Sequence, residues 1–132
     1  MFLLDTNICI YLIKQKPEQV LCRLRAVDIG RVAVSAITVA ELQYGVAKSA
    51  RVEQNTLALG AFLAPLTVLE FGDEAVLQYG VVRAGLERLG TLVGGMDMLI
   101  AAHAMVLDAM LVTNNTREFA RISGLKVENW AG

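Results

Sequence analysis

Cysteine and histidine are scarce in this chain of 132 residues, which holds two of the first and one of the second. Two thiols cannot build a disulfide framework, and no Cys or His cluster has zinc-ligand spacing. Cys9 and Cys22 fall on segments that read as apolar helix faces, so both are expected to be buried free thiols. Neither charge is in excess: the formal net charge is −1, without the surplus of Lys and Arg that marks a general nucleic-acid binder. Long apolar runs are missing too. None approaches the ~20 residues of a membrane span, and the apolar start Met1 to Leu4 is broken by Asp5 with no basic segment before it. A soluble, cytoplasmic protein without a membrane partner is expected. There is no repeat, no low-complexity tract and no Ser/Gly/Pro linker, and the length is short for two ordinary domains. Residues 1–132 are therefore expected to form a single domain.

What the chain does have is apolar residue, 55 % of the total, enough for one substantial core. Short apolar runs alternate regularly with amphipathic stretches. Phe2-Leu3-Leu4 reads as a buried strand, followed by a helix over 6–14 that stops before Pro17. Pro17 suits the first turn of a helix reaching to about Asp28, and 31–35 reads as a β-branched strand. Helices are expected over 38–49 and 52–63, with Pro65 ending the second, then a strand at 67–69. A long helix follows over 73–89, with Ala75, Val76, Tyr79, Val82 and Leu86 on one face and Gly90 closing it. A helix over 97–106, a strand at 110–113, a short helix at 117–122 and a strand at 125–127 complete the chain. Strands this short and uniformly apolar indicate parallel pairing buried on both faces, hence an α/β sheet of four or five strands with helices on both sides.

In such sheets ligands lie outside the carboxyl ends of the strands. Asp5 follows the first strand, Glu41 lies early in the helix after the second, Asp97 opens the helix before the fourth, and Asn114 and Asn115 follow that strand. Each acid has an ordinary structural explanation. Asp5 and Asp97 could be N-caps, and Thr38-Val-Ala-Glu41 matches a capping box. Taken together, three carboxylates aimed at one crevice would repel one another and call for a cation. Hard oxygen donors without His or Cys select Mg2+ or Mn2+. Phosphodiester hydrolysis is the natural chemistry of such an ion, with Asp5 and Asp97 as primary ligands and Glu41 binding a second ion or a metal-bound water, or serving as base. With several of the thirteen acids gathered there, the remaining surface would be locally more basic than the total charge suggests; Lys14, Lys16, Arg23, Arg25, Lys48, Arg51, Arg83, Arg88, Arg117 and Arg121 are candidates for it, each with a solvated helix face as the ordinary explanation. His103, six residues beyond Asp97, reads as a core or interface histidine, and Trp130 as a packing anchor.

The segments F2-L-L-D5-T-N7, S35-A-I-T-V-A-E41-L, G94-G-M-D97-M-L-I-A-A-H-A104, L111-V-T113-N-N115-T-R-E118-F and G124-L-K-V-E-N-W130 occur in an order that resembles the PIN-domain ribonucleases, and among them the VapC toxins of toxin-antitoxin pairs. The resemblance spans the chain. It implies a three-layer parallel α/β fold and RNA cleavage dependent on Mg2+ or Mn2+, with Asp5, Glu41 and Asp97 at the family's acidic positions. A fourth position falls at Asn115 or at Glu118, and Gly95 stands where many relatives carry Pro. The resemblance further implies a structured RNA substrate, often tRNA in the family and initiator tRNA in the enterobacterial type, together with a small antitoxin partner and a homodimer. The first-half apolar residues Ile8, Ile10, Tyr11, Leu12, Leu42, Tyr44 and Val46 could supply those interfaces or the core. A haloacid-dehalogenase-like phosphatase would need Asp where Asn7 stands, and a receiver domain would need an acidic pair and a Lys without obvious counterparts here. The non-enzyme alternative is a degenerate PIN domain that binds RNA or protein without cutting.

Overall fold

A computed structural model describes residues 1–132. Five parallel strands, β1 (Phe2–Leu4), β2 (Val32–Ser35), β3 (Thr67–Leu69), β4 (Met110–Val112) and β5 (Val127–Glu128), form one sheet in the order β3-β2-β1-β4-β5. The helices are α1 (Thr6–Lys14), α2 (Glu18–Arg25), α3 (Ala36–Ala47), α4 (Val52–Leu63), α5 (Asp73–Leu89), α6 (Gly95–Val106) and α7 (Thr116–Phe119). A 3-10 turn, Ile29–Arg31, leads into β2.

Alternation along the central strands assigns their side chains to two cores. Leu3, Ala33 and Leu111 meet α5, α6 and α7 through Val82, Leu86, Ile100 and Phe119. Leu4, Val34 and Val112 face the opposite way, onto Ile8, Leu12, Val20, Leu42 and Leu59 of α1 to α4. Both faces of β1, β2 and β4 are covered, which is why these strands read as continuous apolar runs, whereas the edge strand β3 is largely exposed, with Val68 at 46 %, against the expectation of burial on both faces. No helix is long and apolar enough to cross a membrane.

Helix α5 ends at Gly90 with φ +67°, the left-handed cap that glycine adopts without a Cβ penalty. Several expectations need correction. Val76 is 55 % exposed, because α5 buries only the narrower stripe of Ala75, Val82 and Leu86. Cys9 is buried but Cys22 is exposed, since the short helix α2 buries Val20 instead. Pro17 is the N-cap of α2, one residue outside the helix. Of the apolar residues offered as interface or core, Ile8, Leu12 and Leu42 belong to the core, whereas Tyr44 is 66 % exposed.

Candidate functional site

From β1 the sheet grows by β2 on one side and β4 on the other, so the chain's winding reverses between β1 and β4. The crevice of a doubly wound sheet opens there, at the carboxyl ends. Leu4 pairs with Val112, and the next amide along, that of Asp5, donates to the Val112 carbonyl at 3.0 Å. Asp5 and Thr113 are thereby brought side by side at the mouth of the crevice.

Asp5 is only 3 % exposed. Its carboxylate caps α1 by accepting from the Ile8 amide at 2.9 Å. Burial pushes its pKa up to about 6; the Thr113 hydroxyl and the Ile8 amide pull the other way, and the nearby charges of Asp97 and Glu41 raise it further. For Asp5, then, the capping expectation holds, but capping leaves an unusually costly charge.

For the other two acids the capping expectation fails. The N-cap of α6 is Gly94, which offers no side-chain bond, and Asp97 stands three residues inside the helix. Its Oδ2 lies close to the Gly94 backbone, where a Cβ at position 94 would come within 3.6 Å of it. Burial, then the charges of Glu118 and Glu41, raise the Asp97 pKa. The N-cap of α3 is Ser35, whose hydroxyl accepts from the Ile37 amide, so the cap of α3 lies three residues before Thr38 and no capping box forms. Glu41 instead accepts from the Thr6 hydroxyl at 2.5 Å, a contact spanning 35 residues of chain.

Asn115 Nδ2 donates to Glu118 Oε2 at 3.1 Å, and it is Glu118 that adds charge beside Asp97. Asp5 thus feels the charges of Asp97 and Glu41, and Asp97 those of Glu118 and Glu41, so acids from α3, α6, α7 and the end of β1 gather at one crevice. In the rotamers present no three His, Cys, Asp or Glu side chains form a ready-made metal cage. The donor set is all hard oxygen, its central member is buried, and at least two of its carboxylates, Asp5 and Asp97, are driven upward by burial and repulsion; that combination fits a small divalent cation rather than zinc.

A family model for the PIN domain matches residues 2–125. The chain belongs to the PIN-domain family. Within it, the VapC branch is matched along nearly the whole length. Ribonuclease VapC2 of Rickettsia felis is 44 % identical over 130 residues, covering 98 % of this chain and 97 % of the relative. The tRNA(fMet)-specific endonuclease VapC of Salmonella typhimurium is 43 % identical over 129 residues, with the same coverage. The crystal structure of the VapBC2 complex of Rickettsia felis bound to a promoter DNA fragment superposes with TM-score 0.93 at 43 % identity, covering 98 % of both chains.

Two hydroxyls at the crevice escaped sequence reasoning. Thr6 and Thr113 each touch a carboxylate of the crevice. The available signal was their place, since both lie within two residues of a strand end. Thr113 also accepts from the Asn115 amide at 2.9 Å, closing the turn that presents Asn115 and Glu118. Beside Glu41 a groove of about 430 Å³ opens between α1, α3 and α4, lined by apolar Ile10, Ile13, Val46 and Leu59 with Lys14 at its rim. Of the basic candidates, Arg23 is engaged by Glu128 and Trp130, and Arg83 by Glu87 and Tyr79. Trp130 is 2 % exposed against Phe2, an anchor as expected.

Proposed function

We propose that this PIN-domain chain, acting as one unit over residues 1–132, is a metal-dependent endoribonuclease toxin of a toxin-antitoxin pair, cutting structured RNA of the tRNA class in the cytoplasm. The observation that carries the reading is the state of Asp5: a carboxylate buried at the winding reversal, raised to about 6, and crowded by Asp97 and Glu41 that perform no capping. A structural role would not gather these charges, because each raises the cost of the others.

Asp5 and Asp97 would hold Mg2+ or Mn2+, with Glu41 as a further ligand or as the base that takes a proton from the attacking water. Glu118 would be the fourth acid, oriented by the Asn115 amide. When bound, such an ion polarises the scissile phosphate and supplies a nucleophilic water near neutral pH. The Thr6 hydroxyl holds the Glu41 carboxylate in place, and the Thr113 hydroxyl and Ile8 amide hold that of Asp5. The relative named tRNA(fMet)-specific endonuclease supports tRNA, specifically initiator tRNA, as substrate class. The VapBC complexes among the structural neighbours support a small antitoxin partner, with the apolar groove beside Glu41 offering it a seat. A homodimer is proposed from the family resemblance.

Purified protein incubated with bulk tRNA and Mg2+ should cleave it, EDTA should abolish cleavage, and Asp97→Asn should lower it by orders of magnitude. Intact RNA in the presence of Mg2+ would leave only a binding module.

A further inference from the structure

Helix α6 carries Asp97, yet most of what seats it is apolar and of low relief: Ile100, Ala101, Ala102 and Ala104 are all fully buried. Apolar contact is non-directional, and alanines offer few ridges to fix a helix in one rotation and register. One buried polar contact does so. His103 Nδ1 lies 2.8 Å from Ser35 Oγ, across 68 residues of sequence, with both side chains at most 2 % exposed. Ser35 is the last residue of β2 and the N-cap of α3, where its Oγ also accepts from the Ile37 amide at 3.0 Å. With that lone pair engaged, the Ser35 hydroxyl proton is free to donate to Nδ1 of a neutral imidazole. Burial disfavours the imidazolium, consistent with that neutral form. The ring is held from a second direction by Phe71, edge-on at 5.3 Å and 77°.

The bond therefore joins the helix that bears Asp97 to the residue from which the Glu41-bearing helix starts. We infer that His103 is a positioning residue of the acidic site: through Ser35 it fixes where α6 stands against α3, and so the separation of Asp97 from Glu41. A divalent ion tolerates little error in ligand placement; hydrogen bonds made directly to metal ligands carry a roughly 10- to 100-fold effect on metal affinity or rate, and the lower end of that range is the scale for a bond that acts through helix placement. This inference rests on the metal-dependent reading above.

The test compares His103→Phe, which keeps an aromatic ring against Phe71 but loses the bond, with His103→Asn, whose amide can sit where Nδ1 sits. Mn2+ binding is read by electron paramagnetic resonance of the free ion, independently of RNA. His103→Phe should weaken Mn2+ binding roughly tenfold or more and lower kcat on tRNA by a similar factor, with KM for RNA within about twofold. His103→Asn should recover most of both. Should His103→Phe fail to fold, His103→Leu, which also lacks the acceptor and leaves the Ser35 cap of α3 intact, reads the same loss. A folded His103→Phe protein that binds Mn2+ and cleaves like the wild type overturns the inference, as does His103→Asn being equally defective. If the wild type binds Mn2+ but leaves RNA intact, the nuclease reading is lost and the Mn2+ comparison still decides the role of His103.

Discussion

The Thr6 hydroxyl donates to Glu41 Oε1 at 2.5 Å, tying the first residue of α1 to the middle of α3. Because Thr6 directly follows Asp5, one short stretch of chain holds two of the four acids. Replacing Thr6 by Val, of the same shape, removes the donor and leaves a half-buried carboxylate without its partner. Stability to urea should fall by about 1–2 kcal/mol and tRNA cleavage by about tenfold, whereas Thr6→Ser should stay near wild type. Equal behaviour of the two variants would show that the hydroxyl does not orient Glu41.

Asp97 separates the two explanations of an acid at a helix start. As a cap, its loss would cost about 1 kcal/mol. Here it caps nothing and is repelled by Glu118 and Glu41, so Asp97→Ala in EDTA should unfold no earlier than wild type while cleavage is lost by orders of magnitude. Thermal melts in EDTA beside a cleavage assay check both halves; a clear drop in melting temperature would restore the capping explanation.

The pH dependence of stability follows from Asp5. Its folded pKa of about 6 exceeds the ~3.9 of an unfolded chain, so the folded protein keeps this proton where the unfolded chain has released it. The stabilising contribution of this group in the metal-free protein is thus full below about pH 4 and is lost as pH rises through about 6, by at most about 3 kcal/mol. Asp97, raised in the same direction, adds to the slope. Urea unfolding in EDTA should show Asp5→Asn gaining on wild type across that window, and Mg2+ should restore the wild type at neutral pH. Parallel curves for the two proteins would contradict the buried-charge account.

Phe119 is 1 % exposed and seats α7 in the core beneath the turn that carries Asn115 and Glu118. Phe119→Ala should cost about 3–5 kcal/mol and lower cleavage beyond what the unfolded fraction explains. Activity per folded molecule, from cleavage normalised to circular dichroism at the same temperature, is the measure; an unchanged value would mean that α7 does not position the site.

Local pattern was enough for much of the secondary structure. The expected spans 52–63, 67–69 and 73–89 coincide with α4, β3 and α5, since helix period, a short apolar run and the Gly90 cap are written in neighbouring residues. The termini of α3 and α6 came out later than observed because Ser35 and Gly94, not Thr38 and Asp97, begin them. A capping motif in sequence matches at several registers, and packing selects among them.

By itself the sequence determined the parallel α/β class, through short strands apolar on both sides, and the identities of the acids at the strand and helix ends. Only the tertiary structure decided that Glu41 meets Thr6 rather than its own helix start, that Glu118 stands beside Asp97 with Asn115 holding it, and that His103 reaches Ser35. The physical reason is range. Backbone geometry makes residues three or four apart neighbours in any helix, whereas residues 35 or 68 apart meet only after apolar burial, which has no direction of its own, has stacked the elements and polar contacts have fixed their registers.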